Sequence, residues 1–118
     1  MTQGFNEEEL PYKTIGADEA KEMIVSGAHI IDVRQLEEWQ RGHIVEAELV
    51  PINNSIAEFG KDLKALQLSP DEDVIFVCAS GKRSAVASEI ALVAGLNKVY
   101  NLEYGMNGWV GRGLPIVR

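Results

Sequence analysis

Asp73-Val-Ile-Phe-Val-Cys78 sets five apolar side chains in an unbroken row and stops at the polar, glycine-containing stretch Ser80-Gly81-Lys82-Arg83. A strand with one wet face alternates apolar and polar residues. A row without alternation suits a parallel strand covered on both faces. Parallel neighbours need crossover connections, usually helices, and the chain supplies helical patterns at the right places. Asp18–Ser26 carries Ala20, Met23 and Ile24 on one face, acids in its first turn and Gly27 as its stop. Tyr12–Ile15, Ala28–Val33 and Lys98–Leu102 read as further strands. A short helix around Leu36 and Trp39 ends at Gly42, and an irregular stretch runs on through Pro51. A helix with Phe59, Leu63 and Leu66 at i, i+4 and i+7 stops before Pro70. Ser84–Ala94 is expected as a helix with Val86, Ile90 and Val93 as its apolar stripe. Ala87, Ala91 and Ala94 allow it close approach to a sheet, and Gly95 is its C′ residue. A short helix around Trp109 closes the chain. Strands alternating with helices predict an α/β fold with a largely parallel sheet.

The 118 residues suit one domain. Residues 1–11 are polar and expected to be loosely held, leaving residues 12–118 as a single domain. The lone cysteine, Cys78, excludes a disulfide framework or a cysteine-based zinc cluster within the chain. His29 and His43 show no metal-ligand spacing, so neither a metal nor a cofactor is expected. No apolar run approaches the ~18 residues of a membrane span. The first residues, Met1-Thr-Gln-Gly-Phe-Asn-Glu-Glu-Glu, lack the pattern of a secretory signal. The expected compartment is a reducing cytoplasm. Charge is uneven: residues 1–50 hold eleven acids and four bases, and residues 51–118 hold seven of each, for a net −7. Such a chain repels nucleic acid and anionic membranes at long range, so neither is an expected partner. An anionic substrate would need local donors in the neutral half.

Those donors have an obvious place. Cys78 lies where the apolar strand ends, and a helix begins about six residues later. In open parallel sheets ligands bind beyond the carboxyl ends of the strands. The backbone N–H groups of a short strand–loop–helix connection can curl into an anion-binding nest. The helix start adds unpaired N–H groups and the positive end of its dipole. Gly81 is free to take φ > 0. Lys82 and Arg83 contribute two cations, and the nearest acid in sequence is Glu89, well into the helix. These surroundings lower a cysteine's pKa, and the thiolate is the nucleophile. The alternative reading of Cys78 is a small buried hydrophobe ending a core strand. A phosphate-binding P-loop is excluded, because the earlier glycine is missing and Arg83 follows Lys82. No Gly-x-Ser-x-Gly elbow occurs.

Cys78-Ala-Ser-Gly-Lys-Arg-Ser84 resembles the Cys-x-x-Gly-x-Arg-Ser active loop of single-domain rhodanese-like sulfurtransferases. Asp32-Val-Arg-Gln-Leu-Glu-Glu-Trp-Gln-Arg-Gly-His-Ile44 is similar to that family's Asp-Val-Arg…Glu-Trp…Gly-His-Ile motif. Gly105-Met-Asn-Gly-Trp109 with Gly113-Leu-Pro115 is similar to its C-terminal signature. The three blocks run in the family's order along nearly the whole chain. The resemblance implies an open, mostly parallel five-stranded sheet with helices on both faces. There are two departures. Val45-Glu46 stands where the family usually has Pro-Gly, and Tyr104 replaces the first glycine of a Gly-Gly pair. If either glycine supplied φ > 0, its loss implies a local backbone change. Tyr104 is also placed to narrow the mouth of the site.

The resemblance further implies a two-step reaction through covalent catalysis. Cys78 takes the outer sulfur of a donor such as thiosulfate, forming a persulfide and releasing sulfite. Cyanide or a thiol, including that of a thioredoxin-like or sulfur-relay protein, then removes it. Ala79, Ser80, Gly81, Lys82, Arg83 and Ser84 would bind the persulfide and the donor's anionic oxygens. Arg83 can fork onto loop carbonyls, a carboxylate or the anion, whereas Lys82 is a solvent-facing point charge. Asp32 and Arg34 support the site, more as an ion pair or turn brace with Glu38 as a further partner than as acid–base catalysts. His43 is read as a packing and hydrogen-bonding residue, and Trp39 and Trp109 as core or interface anchors. Three functions compete: a sulfurtransferase, a non-catalytic carrier or sensor of persulfide sulfur, and a phosphatase or arsenate reductase. Loop length separates the third. Cys78 to Arg83 spans six residues, the count of the sulfurtransferases, and phosphatase relatives have seven.

Overall fold

In the computed structural model the described residues are 11–53 and 55–118. The segment expected to be loosely held lies almost wholly outside them. The elements in chain order are β1 (Lys13–Ile15), α1 (Ala17–Val25), β2 (His29–Asp32), α2 (Leu36–Gln40) and β3 (Glu48–Leu49). They continue with α3 (Ile56–Ala65), β4 (Asp73–Val77), α4 (Lys82–Val93), β5 (Lys98–Leu102) and α5 (Gly105–Gly111). The five strands pair in parallel in the order β1-β5-β4-β2-β3. The apolar row therefore sits in the middle strand, where burial on both faces is unavoidable. Val74, Phe76 and Cys78 join the core shared with α3 and α4, while Ile75 and Val77 join the core shared with α1 and α5. The sequence pattern and the topology agree because a period of two in a fully covered strand divides its side chains between two cores.

Two expectations change. The stretch expected to be irregular through Pro51 contains β3, an edge strand that pairs Ile31 with Glu48 and Asp32 with Leu49. Two residues, one of them an exposed glutamate, leave no periodic signal to read. Helix α4 starts two residues earlier than expected, and its buried face is Ser84, Ala87, Ser88 and Ala91. Val86 and Val93 point to solvent, and Val93 is 90% exposed. Ile90 turns sideways onto α3, where a Cβ on Gly60 would lie 3.7 Å from its Cγ2. Small side chains let the helix lie close to β4 and β5, and that closeness fixes which face is inside.

The C-terminal segment is tied to this frame. His43 and Val117 form an antiparallel bridge with N–H···O distances of 2.9 and 2.8 Å. The buried Trp109 donates its indole N–H to the Pro115 carbonyl at 2.8 Å. His43 stacks on the half-buried Trp39, with ring centroids 3.5 Å apart, and its Nδ1 lies 2.9 Å from the Trp39 carbonyl. His43 is thus a packing and hydrogen-bonding residue.

Candidate active site

Cys78 follows the last residue of β4, and the chain turns over its sulfur before entering α4. The turn depends on Gly81, whose φ of +104° is the left-handed region that glycine occupies without penalty. In that conformation the Gly81 N–H points back to Cys78 Sγ at 3.1 Å. Ser84, buried in the first turn of α4, brings its hydroxyl to 3.3 Å from the same sulfur. Burial pushes the thiol pKa up. The Ser84 hydroxyl and the N–H groups of Ser84, Gly81 and Ser80 outweigh it, and the thiol ends below its ordinary value. Cys78 as a whole is 1% exposed. Ala79 and Gly81 are half-buried, and Ser80 and Lys82 face solvent.

The loop is held from outside as well. The Met106 N–H donates to the Cys78 carbonyl at 2.8 Å, and the Asn107 N–H donates to the Ala79 carbonyl at 3.0 Å. This contact requires Gly105, because a Cβ there would overlap the Cys78 carbonyl oxygen. Beneath the loop lies a buried residue that the sequence reading missed. Asn101 of β5 donates its Nδ2 to the Gly81 carbonyl at 3.1 Å and accepts from the Ser84 hydroxyl at 2.5 Å. Ser84 has one hydroxyl proton and two acceptors, Asn101 Oδ1 and Cys78 Sγ. The hydroxyl can therefore turn toward the sulfur as it becomes anionic. The available signal was a polar side chain at a buried position of a central parallel strand, paired with Phe76 two residues before the cysteine.

The two loop cations differ in placement. Of the partners open to its fork, Arg83 takes a carboxylate: its Nη1 and Nη2 donate to Glu38 Oε1 and Oε2 at 2.8 and 2.9 Å. The side-chain hydrogen bond from Arg83 is the main reason that the Glu38 carboxyl falls to about 2, and Glu38 in turn raises Arg83. The pair spans forty-five residues of sequence, so only the fold brings it together. Lys82 remains exposed.

Asp32 and Arg34 form the other pair. Arg34 Nε and Nη2 donate to the Asp32 carboxylate at distances down to 2.8 Å, and both residues are buried. The Arg34 guanidinium also donates to the carbonyls of Gly42 at 2.8 Å and Glu38 at 3.3 Å. Glu38 is thus a partner through its backbone, while its side chain serves Arg83. The brace fixes α2, whose capping box gives Glu38 Oε1 a further bond from the Gln35 N–H at 3.0 Å. Arg83 lines one surface cleft with Gln35, Ile52 and Val86, and Glu38 lines another with Gly42, Met106 and Asn107. Among the described residues no three His, Cys, Asp or Glu side chains gather as metal ligands would.

The family model for the rhodanese-like domain matches residues 16–112. The chain belongs to the rhodanese-like domain family. Its relatives include thiosulfate sulfurtransferase 18 of Arabidopsis thaliana, 31% identical, with 98% of this chain and 93% of that protein covered. The putative sulfur carrier protein YrkF of Bacillus subtilis is 27% identical over 91% of this chain, which spans 55% of that relative. Among solved structures, a rhodanese-related protein from Thermoplasma volcanium matches with a TM-score of 0.75. It is 33% identical, with 90% of this chain and 98% of that one covered.

The two departures from the rhodanese-like motifs have different outcomes. Tyr104 keeps a left-handed φ of +61°, so the backbone course expected of glycine is retained. A non-glycine residue there carries a cost of about 1–2 kcal/mol. A Cβ on Gly108 would lie 2.9 Å from Tyr104 Cβ and 3.9 Å from its Cδ2, so the ring leans on the first turn of α5. Val45 and Glu46 form a turn closed by the Ala47 N–H on the Ile44 carbonyl at 3.0 Å, without a positive φ. Among the described residues, no helix is long and apolar enough to cross a membrane.

Proposed function

We propose that this rhodanese-like chain moves sulfane sulfur from thiosulfate or another persulfide donor to cyanide or a thiol through a persulfide on Cys78. The observation that carries the reading is the sulfur's own environment: Gly81 N–H at 3.1 Å and Ser84 Oγ at 3.3 Å, in a loop of six residues. Donors at that range favour the thiolate that attacks, and later the terminal sulfur of the persulfide. In the first step the Cys78 thiolate attacks the donor's outer sulfur, and the donor's S–S electron pair leaves with sulfite or a thiolate. In the second step the acceptor attacks the outer sulfur of the persulfide and returns Cys78 as thiolate. Neither step calls for a metal or redox cofactor.

Ala79, Ser80, Gly81, Lys82, Arg83 and Ser84 are the proposed binding residues, and Asp32 and Arg34 act as positioning residues through α2. Residues 12–118 work as one domain in a reducing compartment, the cytoplasm, with a thioredoxin-like or sulfur-relay protein as a natural thiol acceptor. A carrier role is the second reading, and similarity to a protein named as a putative sulfur carrier favours it as a specific alternative. Transfer kinetics from thiosulfate to cyanide test the enzyme reading. The native protein is expected to turn over and Cys78→Ser to be inactive. One turnover or fewer per chain favours the carrier, and efficient Cys78-dependent hydrolysis of an aryl phosphate overturns both.

A further inference from the structure

Three cations lie around the Cys78 loop, and two of them are paired with carboxylates. Asp32 neutralises Arg34 in a buried pair, with side chains 0% and 8% exposed. Glu38 occupies both terminal nitrogens of Arg83, with its own carboxylate fixed on a second side by the Gln35 N–H. Resting on the sulfur-transfer reading above, we propose that Glu38 is a specificity-determining residue. By holding the Arg83 guanidinium and adding its own negative charge, it turns the loop away from dianionic donors and toward thiol persulfides.

The charge count supports this selectivity. With Arg34 and Arg83 paired, the loop offers an incoming anion the backbone N–H groups, the helix start and the exposed Lys82, against a Cys78 thiolate that carries −1. Glu38 stays ionised at working pH, since its carboxyl lies at about 2. Thiosulfate brings two charges and leaves sulfite, also a dianion, in the mouth of the loop. A persulfide R–S–SH is neutral, or singly charged once ionised. Its outer sulfur forms the new bond to Cys78 Sγ while the electron pair of the R–S–S bond departs on R–S⁻, the proton staying with the transferred sulfur. Both exchanges are redox-neutral, and the two donors differ in charge, the property to which a fixed carboxylate responds. The carboxylate lies at the loop itself, because Arg83, which it grips at 2.8 and 2.9 Å, closes the six residues that begin at Cys78.

The test compares two donors, thiosulfate and mercaptoethanol persulfide, with cyanide as acceptor, in the full chain. Glu38→Gln removes the charge but keeps an oxygen for the Gln35 N–H. It is expected to raise the thiosulfate-to-persulfide ratio of kcat/KM about three- to tenfold, mostly through KM for thiosulfate, for one unit charge acting near a protein surface. The rise should shrink as salt screens the charge. Glu38→Ala, which frees both guanidinium nitrogens, should move the ratio in the same direction and guards against an effect peculiar to glutamine. Glu89→Gln, an exposed change of equal charge on α4, should leave the ratio where it is. A ratio unmoved by both Glu38 variants overturns the proposal, as does an equal rise in Glu89→Gln. If mass spectrometry finds no sulfur on Cys78 with either donor, the sulfur-transfer reading itself has failed, and this inference falls with it.

Discussion

The connections that leave β2 and β4 start from neighbouring strand ends, and each carries an arginine gripping a carboxylate with two nitrogens. After β2 the pair is Asp32–Arg34, two residues apart, with side chains 0% and 8% exposed. After β4 the arginine is Arg83, and its partner Glu38 comes from the other connection; those side chains are 38% and 27% exposed. The first pair is local and sealed, and its spare donors tie down the carbonyls of Glu38 and Gly42. The second is wet and bridges two segments. Burial makes a charge pair costly to break and therefore a good brace. Partial exposure makes a pair cheap to break and rearrange.

The sharpest way to break this comparison is to remove one partner from each pair. Arg34→Ala leaves the Asp32 carboxylate buried without its partner and should cost about 3–5 kcal/mol in urea unfolding. Glu38→Gln, at the exposed pair, should cost less than about 1 kcal/mol. Equal losses would mean that burial does not distinguish the two roles.

A smaller effect lies at the sulfur. The Cys78 thiol is held below its ordinary pKa, so its alkylation by iodoacetamide should level off at lower pH than that of a free cysteine. Ser84→Ala removes the hydroxyl donor and should shift the profile upward; a shift of one unit slows alkylation at pH 7 about tenfold. The Arg34→Ala variant, if it remains folded, should shift this profile much less. A thiolate unaffected by Ser84 would assign its stabilisation to the backbone alone.

The smallest effect concerns acid. Glu38 has a folded pKa depressed to about 2, so the stability from its pair is full above the unfolded carboxyl value and is lost as pH falls through the folded one. Between about pH 4.5 and 2 the native protein should therefore lose stability more steeply than Glu38→Gln in urea titrations.

What could be read in advance follows from the range of the forces involved. Strand β4 and the cysteine loop were legible because a doubly covered strand needs an unbroken apolar row and a nest needs its glycine, both local requirements. The strand β3 was not, since two edge residues carry no pattern. The stripe of Val86, Ile90 and Val93 on α4 was misread because valines signal burial in general. The close approach to the sheet expected of Ala87 and Ala91 selects them, with Ser84 and Ser88, as the buried face. The Glu38–Arg83 pair and the Asn101 contact beneath the loop join residues forty-five and twenty positions apart, respectively. No spacing rule reaches so far. At Tyr104 the motif departure was visible, but only the fold reveals that the left-handed backbone survives the loss of glycine.

In the proposed function the loop after β4 makes Cys78 a sulfur-accepting thiolate. Intact-mass measurement after incubation with thiosulfate or mercaptoethanol persulfide tests it most directly. The expected result is a gain of one sulfur atom, its removal on adding cyanide, and no gain in Cys78→Ser. A native protein that stays at its original mass with both donors, or a Cys78→Ser variant that gains the same sulfur, would contradict it.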